Sequence, residues 1–423
     1  MTHVVDMSYS ACLEWFDDWV SADPPVLMDE WDLSNWMADE MSEAIKIFLS
    51  HACRSTKKKE DAILILRAII YEYFLFQHTL AIQNLVSNPS SVQRLKQVPQ
   101  SEQKSAAWHN ESLNMLTGHE FGAVCYGTSR SYELVVQKKC GTPVIIDETA
   151  PPSQVVFTYS EEGKLSAFKW GWRFEPVVRD VYQRCFAEGL VDDTLGRIRH
   201  PTLPRLAASP DGLITSGPRC GRLVEIKSPI TRELTGVIPL EYYCQMQLQA
   251  EVCDIEAVDY VEMRFTSIVL KPGEPFPEYS ATMAAKNPWI GKICVLAVKP
   301  AGVENPLGEG TSSRLEETPL DSSKYEYRYS ELYPATAEGL AETCAWLPPL
   351  ENNQFVLEQS IWYVYDLFTK VVPRNRRWWD AVGYPAYVKF WQDVDKARLD
   401  GTYDEKPLFL DTSGSDEEEG VPL

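Results

Sequence analysis

The sequence predicts an α/β protein, with a central mixed sheet flanked by helices and a helical N-terminal extension. Three observations carry this. Residues 1–100 space their Trp, Phe and aliphatic residues as amphipathic helices do, among many acids. Residues 209–229, SPDGLITSGPRCGRLVEIKSP, read as a β-hairpin, with Gly217-Pro218 and Gly221 where a turn is needed. Residues 238–252, IPLEYYCQMQLQAEV, have the pattern of a helix, and residues 257–270 alternate as a sheet strand.

At 423 residues and 44% apolar content, the chain can bury two or three domains' worth of core. The expected division is an acidic helical domain over 1–100, a second domain over 101–400 with an elaboration at about 271–350, and a low-complexity acidic tail over 401–423. The first domain should contain Trp15, Trp19, Trp31 and Trp36 as core residues, then two longer helices over 43–84 broken near Arg54-Ser55-Thr56. The Lys57-Lys58-Lys59 run reads as a solvated face. The most apolar run, Ala62 to Ile82, contains Arg67 and Glu72 and reads as a buried helix rather than a membrane span.

Ten cysteines are scattered without CxxC or Cys/His ligand spacing, which argues against zinc and iron–sulfur sites. With no basic, apolar leader visible, they are expected to be free thiols in a reducing intracellular compartment, not in a secreted protein.

Further along, residues 154–190 carry VVFTYS and then a stretch, 164–186, with helical spacing in which Phe174, Val177, Val178, Val181 and Phe186 are apolar. Two prolines in RIRHPTLPRLAA, 197–208, force an extended approach to the hairpin. GKICVLAVKP and KYEYRYSEL read as strands around a loop at Glu304–Ser323, and 354–398 as two helices. The adjacent Arg and Trp residues at 374–379 suit either nucleic-acid contact or a packed Trp pair.

The hairpin concentrates the chemistry. Asp211 lies near the start of one strand, and Glu225 and Lys227 flank Ile226 on the other. Alternation turns Glu225 and Lys227 to the same face, so two carboxylates and an ammonium converge. Hard oxygen ligands of this kind hold Mg²⁺ or Mn²⁺, which can activate water and stabilise a pentavalent phosphate. The net charge of −21 runs against a polyanionic substrate, but residues 1–50 contribute −10 of it and residues 401–423 contribute −6. Residues 196–232 hold seven Arg/Lys against Asp211 and Glu225 alone, a net of +5. The expectation is a local positive field suited to a phosphodiester. Arg197, Arg199 and Arg205 are candidates for backbone phosphate contacts, with solvated charge as the alternative.

The pattern Pro210-Asp211 followed by Glu225-Ile226-Lys227 is that of PD-(D/E)xK nucleases. Trp170-Gly171 and Glu175 precede it, and Tyr242, Gln245 and Gln247 follow. This order of four motifs resembles the YqaJ-type viral recombinase family, which includes phage lambda exonuclease, over about residues 102–265. The resemblance implies a restriction-endonuclease-like core and a Mg²⁺-dependent (Mn²⁺ possible) exodeoxyribonuclease that resects double-stranded DNA ends for recombination or repair in viral DNA replication. Alternatives are an endonuclease or RNA-degrading enzyme on the same core, or a non-catalytic DNA-binding or virion protein.

By resemblance, Asp211, Glu225, the Ile226 carbonyl and Glu175 bind metal, while Lys227 and Gln245 act on water and phosphate. Tyr242 supports the phosphate, and Gln247 has a structural role. Trp108 and Thr117 match positions that precede a 5′-phosphate anchor in phage-type enzymes. There Ser112 stands where an Arg is expected and His119 where a Ser is expected, with Arg130 as a substitute for the anchor or as ordinary surface polarity. The implied partners are DNA ends and a single-strand annealing protein. Self-association is left open, no membrane is implied, and the setting would be host cytoplasm, viral factory or nucleus.

Overall fold

A computed structural model describes residues 9–22, 25–52, 55–101, 111–112, 114–141, 165–271, 273–298, 325–351 and 353–402. Trp108, the 154–160 stretch, the loop at Glu304–Ser323 and the acidic tail from 403 onward lie outside the described residues. The chain forms two compact units. One comprises Met1–Val86 and Val371–Pro385, the other Ser87–Lys370 and Ala386–Leu423.

The first unit is helical. It contains α1 (Tyr9–Ala22), α2 (Glu30–Trp36), a π turn leading into α3 (Ser42–Ala52), and α4 (Thr56–Gln83). The break before α4 falls where the sequence placed it, and the Ser55 side chain caps α4 by accepting from Lys58 N. Cys12, Phe16, Trp36, Leu66 and Phe74 share one core, and Trp15 stacks on Phe48 at 4.5 Å. Trp36 is buried in this core and Trp15 and Trp19 pack partly buried against it, whereas Trp31, expected there too, is half-buried outside it. The buried helix expected at 62–82 is buried on one face only. Ala62, Leu66, Ile69, Ile70 and Phe74 turn inward, while Leu64, Tyr71 and Phe76 are exposed. By length and composition α4 could cross a membrane, a test that the core helix of a soluble protein also passes. In the same unit Trp378 and Trp379 are packed and Arg377 pairs with Asp32 at 2.9 Å, which favours the packed reading of that stretch over nucleic-acid contact.

The second unit is the mixed α/β body. Its helices are α5 (Pro89–Gln97), α6 (Gly118–Tyr126), α7 (Ser129–Cys140), α8 (Ala167–Cys185), α9 (Leu240–Cys253), α10 (Ala337–Ala345) and α11 (Tyr384–Asp400), the last beginning at the unit's edge. Its strands are β1 (Val191–Asp192), β2 (Ile198–Arg199), β3 (Ala207–Ala208), β4 (Gly212–Ile214), β5 (Leu223–Lys227), β6 (Ala257–Val269), β7 (Trp289–Val298), β8 (Glu326–Tyr329), β9 (Tyr333–Pro334) and β10 (Gln354–Pro373). The main sheet runs β1-β4-β5-β6-β10-β7-β8, with β9 also on β7 and a separate β2-β3 ribbon. β4 and β5 pair antiparallel, and β5 and β6 parallel, so the sheet is mixed as expected.

The expectation of two helices over 354–398 is corrected. Residues 354–373 form β10, antiparallel to β7 from Gln354↔Val298 to Tyr363↔Ile290, and helix begins only after it. The run FVLEQSIWYVYDLFTKVV is rich in β-branched and aromatic residues, and its placement between β6 and β7 decides the matter.

One face of the sheet packs on α8. Trp170, Phe174, Val177, Val178 and Val181 meet Val224, Ile226, Val261, Met263 and Trp362 in a single core. This packing fixes the register of β5, because a slip by one residue would drive Glu225 into that core. The described cysteines are free thiols.

Candidate active site on the β4–β5 hairpin

The hairpin turn needs glycine at two points. Gly217 has φ +77° and Gly221 φ +93°, and a Cβ at either would meet backbone at 1.9 or 2.6 Å. The turn sets Gly212 opposite Val224 and Leu213 opposite Leu223. Asp211, just before β4, thereby reaches across to the second strand, where its Oδ2 accepts from Ile226 N at 2.7 Å. Val224 and Ile226 enter the α8 core, and Glu225 and Lys227 turn the other way.

Glu225 is fully buried. Its Oε1 accepts from Lys227 Nζ at 2.5 Å and from Gln245 Nε2 at 2.7 Å, and its Oε2 accepts from Gln249 Nε2 at 2.6 Å. Gln245 also accepts from Lys227 Nζ at 3.4 Å, so one amide touches both charged groups. The Lys227 ammonium lies 4.7 Å from the Tyr242 ring centroid, and the Arg232 guanidinium lies 5.7 Å from the same ring. Gln245, Gln249 and Tyr242 all come from α9, which is clamped against α6. A Cβ on Gly118 would meet Gln245 Cγ at 2.8 Å, and one on Gly122 would meet the Glu241 backbone at 2.7 Å. Glycine four residues apart on α6 is what permits the approach.

The electrostatics are unbalanced at Asp211. The residue keeps some exposure, but its carboxylate is enclosed, and its pKa is raised well above the usual value. Burial is the largest cause, followed by the Glu225 and Glu175 charges; Lys227 and the Ile226 N–H oppose them. At Lys227, burial pulls the pKa down, but Glu225 and Asp211 outweigh it and hold the ammonium above its usual range.

The donor set fits a hard divalent cation in one respect and departs from expectation in another. Burial and the Glu225 and Glu175 charges raise the Asp211 pKa, and a bound cation would offset them. Among the described residues, however, no three His, Cys, Asp or Glu side chains lie close enough to hold one ion. Glu175 is therefore not gathered with Asp211 and Glu225. It sits in mid-helix beside Pro176, not at a helix N-terminus, and pairs with Arg179 at 3.8 Å while acting on Asp211 through its charge. Asp211, Glu225 and the Ile226 carbonyl remain as candidate ligands, a set Mg²⁺ can use because it keeps several waters.

The positive field expected over 196–232 is also corrected, because every one of the seven cations faces a carboxylate. Arg197 is buried at 2% exposure, near Glu111 and Glu120, and burial pushes its pKa down to about 10. It is enclosed too deeply for a backbone phosphate. Arg199 pairs with Glu111 at 2.7 Å. Arg205 grips Asp395 through two bonds, at 2.7 and 2.8 Å, and stacks on Trp391 at 4.0 Å. Arg219 and Arg222 meet Asp259 at 3.1 and 3.5 Å, and Arg232 pairs with Glu262.

Of the expected anchor residues, His119 is exposed in the first turn of α6. The Ser112 carbonyl accepts from Lys139 Nζ at 2.7 Å. Arg130 is exposed on the first turn of α7. Gln247 is buried at 2% exposure. The sequence reading missed Gln249, although its position one turn beyond Gln245 was a usable signal. It also missed the Arg232–Glu262 pair, for which Glu262 opposite Lys227 in the β5–β6 register was the only clue.

Comparison with known proteins agrees with the motif order. Residues 107–256 match the model of the YqaJ-like viral recombinase domain. The uncharacterized protein R354 of Acanthamoeba polyphaga mimivirus is 24% identical over 185 residues, 40% of this chain and 30% of that protein's own length. A crystal structure of an alkaline exonuclease, LHK-Exo, from Laribacter hongkongensis is 26% identical, covering 37% of this chain and 73% of that one, with a TM-score of 0.29. A second structure, LHK-Exo in complex with dAMP, is 20% identical, covering 56% and 86%, with a TM-score of 0.28. Over residues 107–256, with the hairpin and its helix α9 inside that range, the chain is similar to the YqaJ-like viral recombinase domain.

Proposed function

We propose that the chain is a Mg²⁺-dependent deoxyribonuclease that degrades double-stranded DNA from its ends, exposing single strands for recombination or repair in viral DNA replication. Mn²⁺ would serve in place of Mg²⁺, and a single-strand annealing protein would take the product. The observation that supports this is the convergence of Asp211, Glu225, Lys227 and Gln245 on one face of the hairpin, inside the matched domain.

In this reading Asp211, Glu225 and the Ile226 carbonyl hold the ion. When bound, it would polarise the scissile phosphate and make water nucleophilic near neutral pH. Lys227 stays protonated and offers its charge to the phosphate as negative charge develops there. Gln245 keeps the ammonium and the Glu225 carboxylate in fixed relation, since it bonds to both. Tyr242 walls one side of the ammonium and shields it from water.

End-labelled linear duplex, closed circular duplex and RNA, each with Mg²⁺ or with EDTA, test the proposal. Loss of label from linear duplex alone, abolished by EDTA, is the expected result. Nicking or linearisation of the circle would favour the endonuclease reading, RNA cleavage the RNA-degrading one. No hydrolysis of any substrate would leave a DNA-binding protein.

A further inference from the structure

We propose that Gln249 is a positioning residue that aims the metal-binding oxygen of Glu225. This rests on the reading above, in which Glu225 is a ligand.

A carboxylate offers roughly four lone-pair directions. On Glu225, Oε1 already accepts from Lys227 and Gln245, so it is full. Oε2 accepts from Gln249 Nε2 at 2.6 Å and has one direction left. The oxygen open to a cation is therefore Oε2, and Gln249 is the group that fixes where it points. Loss of that bond would free the carboxylate to turn about its last torsion, which is intrinsically soft.

Gln249 is 1% exposed, and its own Oε1 is buried without a donor among the described residues. A stranded amide oxygen offsets much of what the amide's bond to a charged group returns. Stability alone thus gives little reason for an amide at this place. An apolar side chain of similar volume would pack there without the stranded oxygen. What it could not do is hold Oε2.

The test is Mn²⁺ binding by calorimetry, with no nucleic acid present, to the full-length wild type, Gln249→Met and Gln249→Leu. Circular dichroism and melting curves are recorded alongside. The expected result is a loss of Mn²⁺ affinity of about 10- to 100-fold, the usual consequence of removing an outer partner of a metal ligand. Melting temperature should move little. Equal affinity in wild type and variants would overturn the role of Gln249 while leaving Glu225 a ligand. Failure of both variants to fold would also overturn it, by making the amide a structural necessity. A wild type that takes up neither Mn²⁺ nor Mg²⁺ would remove the ligand reading itself.

Discussion

On the hairpin, Asp211 and Glu225 turn like charges toward one another, and Lys227 is the cation in contact with Glu225. In the flanking stretches, Arg197, Arg199, Arg205, Arg219, Arg222 and Arg232 each face a carboxylate. The second region is what a fold does with charges that serve the fold. Left unpaired, buried Arg197 would cost several kcal/mol, and the more exposed arginines settle on nearby acids at lower stakes. The first region leaves that cost standing at Asp211, where burial and two acids act together. Electrostatic frustration retained at one point in an otherwise balanced surface is the physical mark of a site. The contrast can be attacked from both sides.

The largest effect should come from removing the unbalanced charges. Asp211→Asn and Glu225→Gln keep volume and most hydrogen bonds, yet each should lower cleavage of linear duplex by on the order of 10³-fold or more, since each deletes charge at the reacting centre. Single-turnover rates on end-labelled duplex measure this. Residual activity within tenfold of wild type would place the chemistry elsewhere.

Lys227→Met comes next. The ammonium belongs to the reacting group and supplies one charge among many in a DNA footprint. Cleavage should fall about 10²-fold while duplex affinity changes little. Stability should also fall, by about 3 kcal/mol, because fully buried Glu225 loses its counter-ion; the 23% exposure of the Lys227 side chain keeps the cost at the low end for a buried pair. Denaturant melts and filter binding separate the two. Binding and cleavage that drop in parallel would make Lys227 a docking residue.

How much of this contrast was legible depends on the range of each interaction. The hairpin was legible because glycine, proline and strict alternation are local signals, and α9 because its length and spacing are local too. The third carboxylate expected from Glu175 is not gathered with the other two, since the course of α8 is set by Phe174, Val177 and Val178 packing against β5 and β6. β10 was misread as helix because its partners, β6 and β7, lie far away in sequence. The positive segment misled for the same reason. Asp395 and Asp259, which neutralise Arg205, Arg219 and Arg222, come from α11 and β6. Net charge over a stretch of sequence is a field only if the rest of the fold leaves it alone.

A smaller effect follows from the sign of the Asp211 shift. Its folded pKa lies above the unfolded value of 3.8, so over that window the native state holds a proton the unfolded chain has released. The associated stability is present below the unfolded pKa and is lost as pH rises through the folded one. Asp211→Asn removes the penalty. In metal-free buffer near pH 7 it should melt higher than wild type, with the difference shrinking as pH falls toward 4. A variant that melts lower at pH 7 would show that the Asp211–Ile226 bond outweighs the repulsion.

The smallest effects should come from the balanced arginines, and they test whether balance means commitment. Each phosphate contact contributes about 0.9 to the slope of log affinity against log salt. Arg199→Gln and Arg205→Gln should leave that slope unchanged, because their guanidiniums are held by Glu111 and Asp395. Arg205→Gln should instead cost about 1 kcal/mol of stability, modest because Asp395 is half exposed, yet real because the bond is bidentate and stacked on Trp391. Arg130→Gln, on the open first turn of α7, should lower the slope by about 1 and leave stability alone. Arg199 is the sharpest case. Its side chain keeps 58% exposure, so a phosphate could draw it off Glu111 at small cost. A slope that falls for Arg199→Gln as much as for Arg130→Gln would mean that an exposed ion pair in this protein is a reserve of charge for the substrate, and that only the buried and stacked arginines belong to the fold.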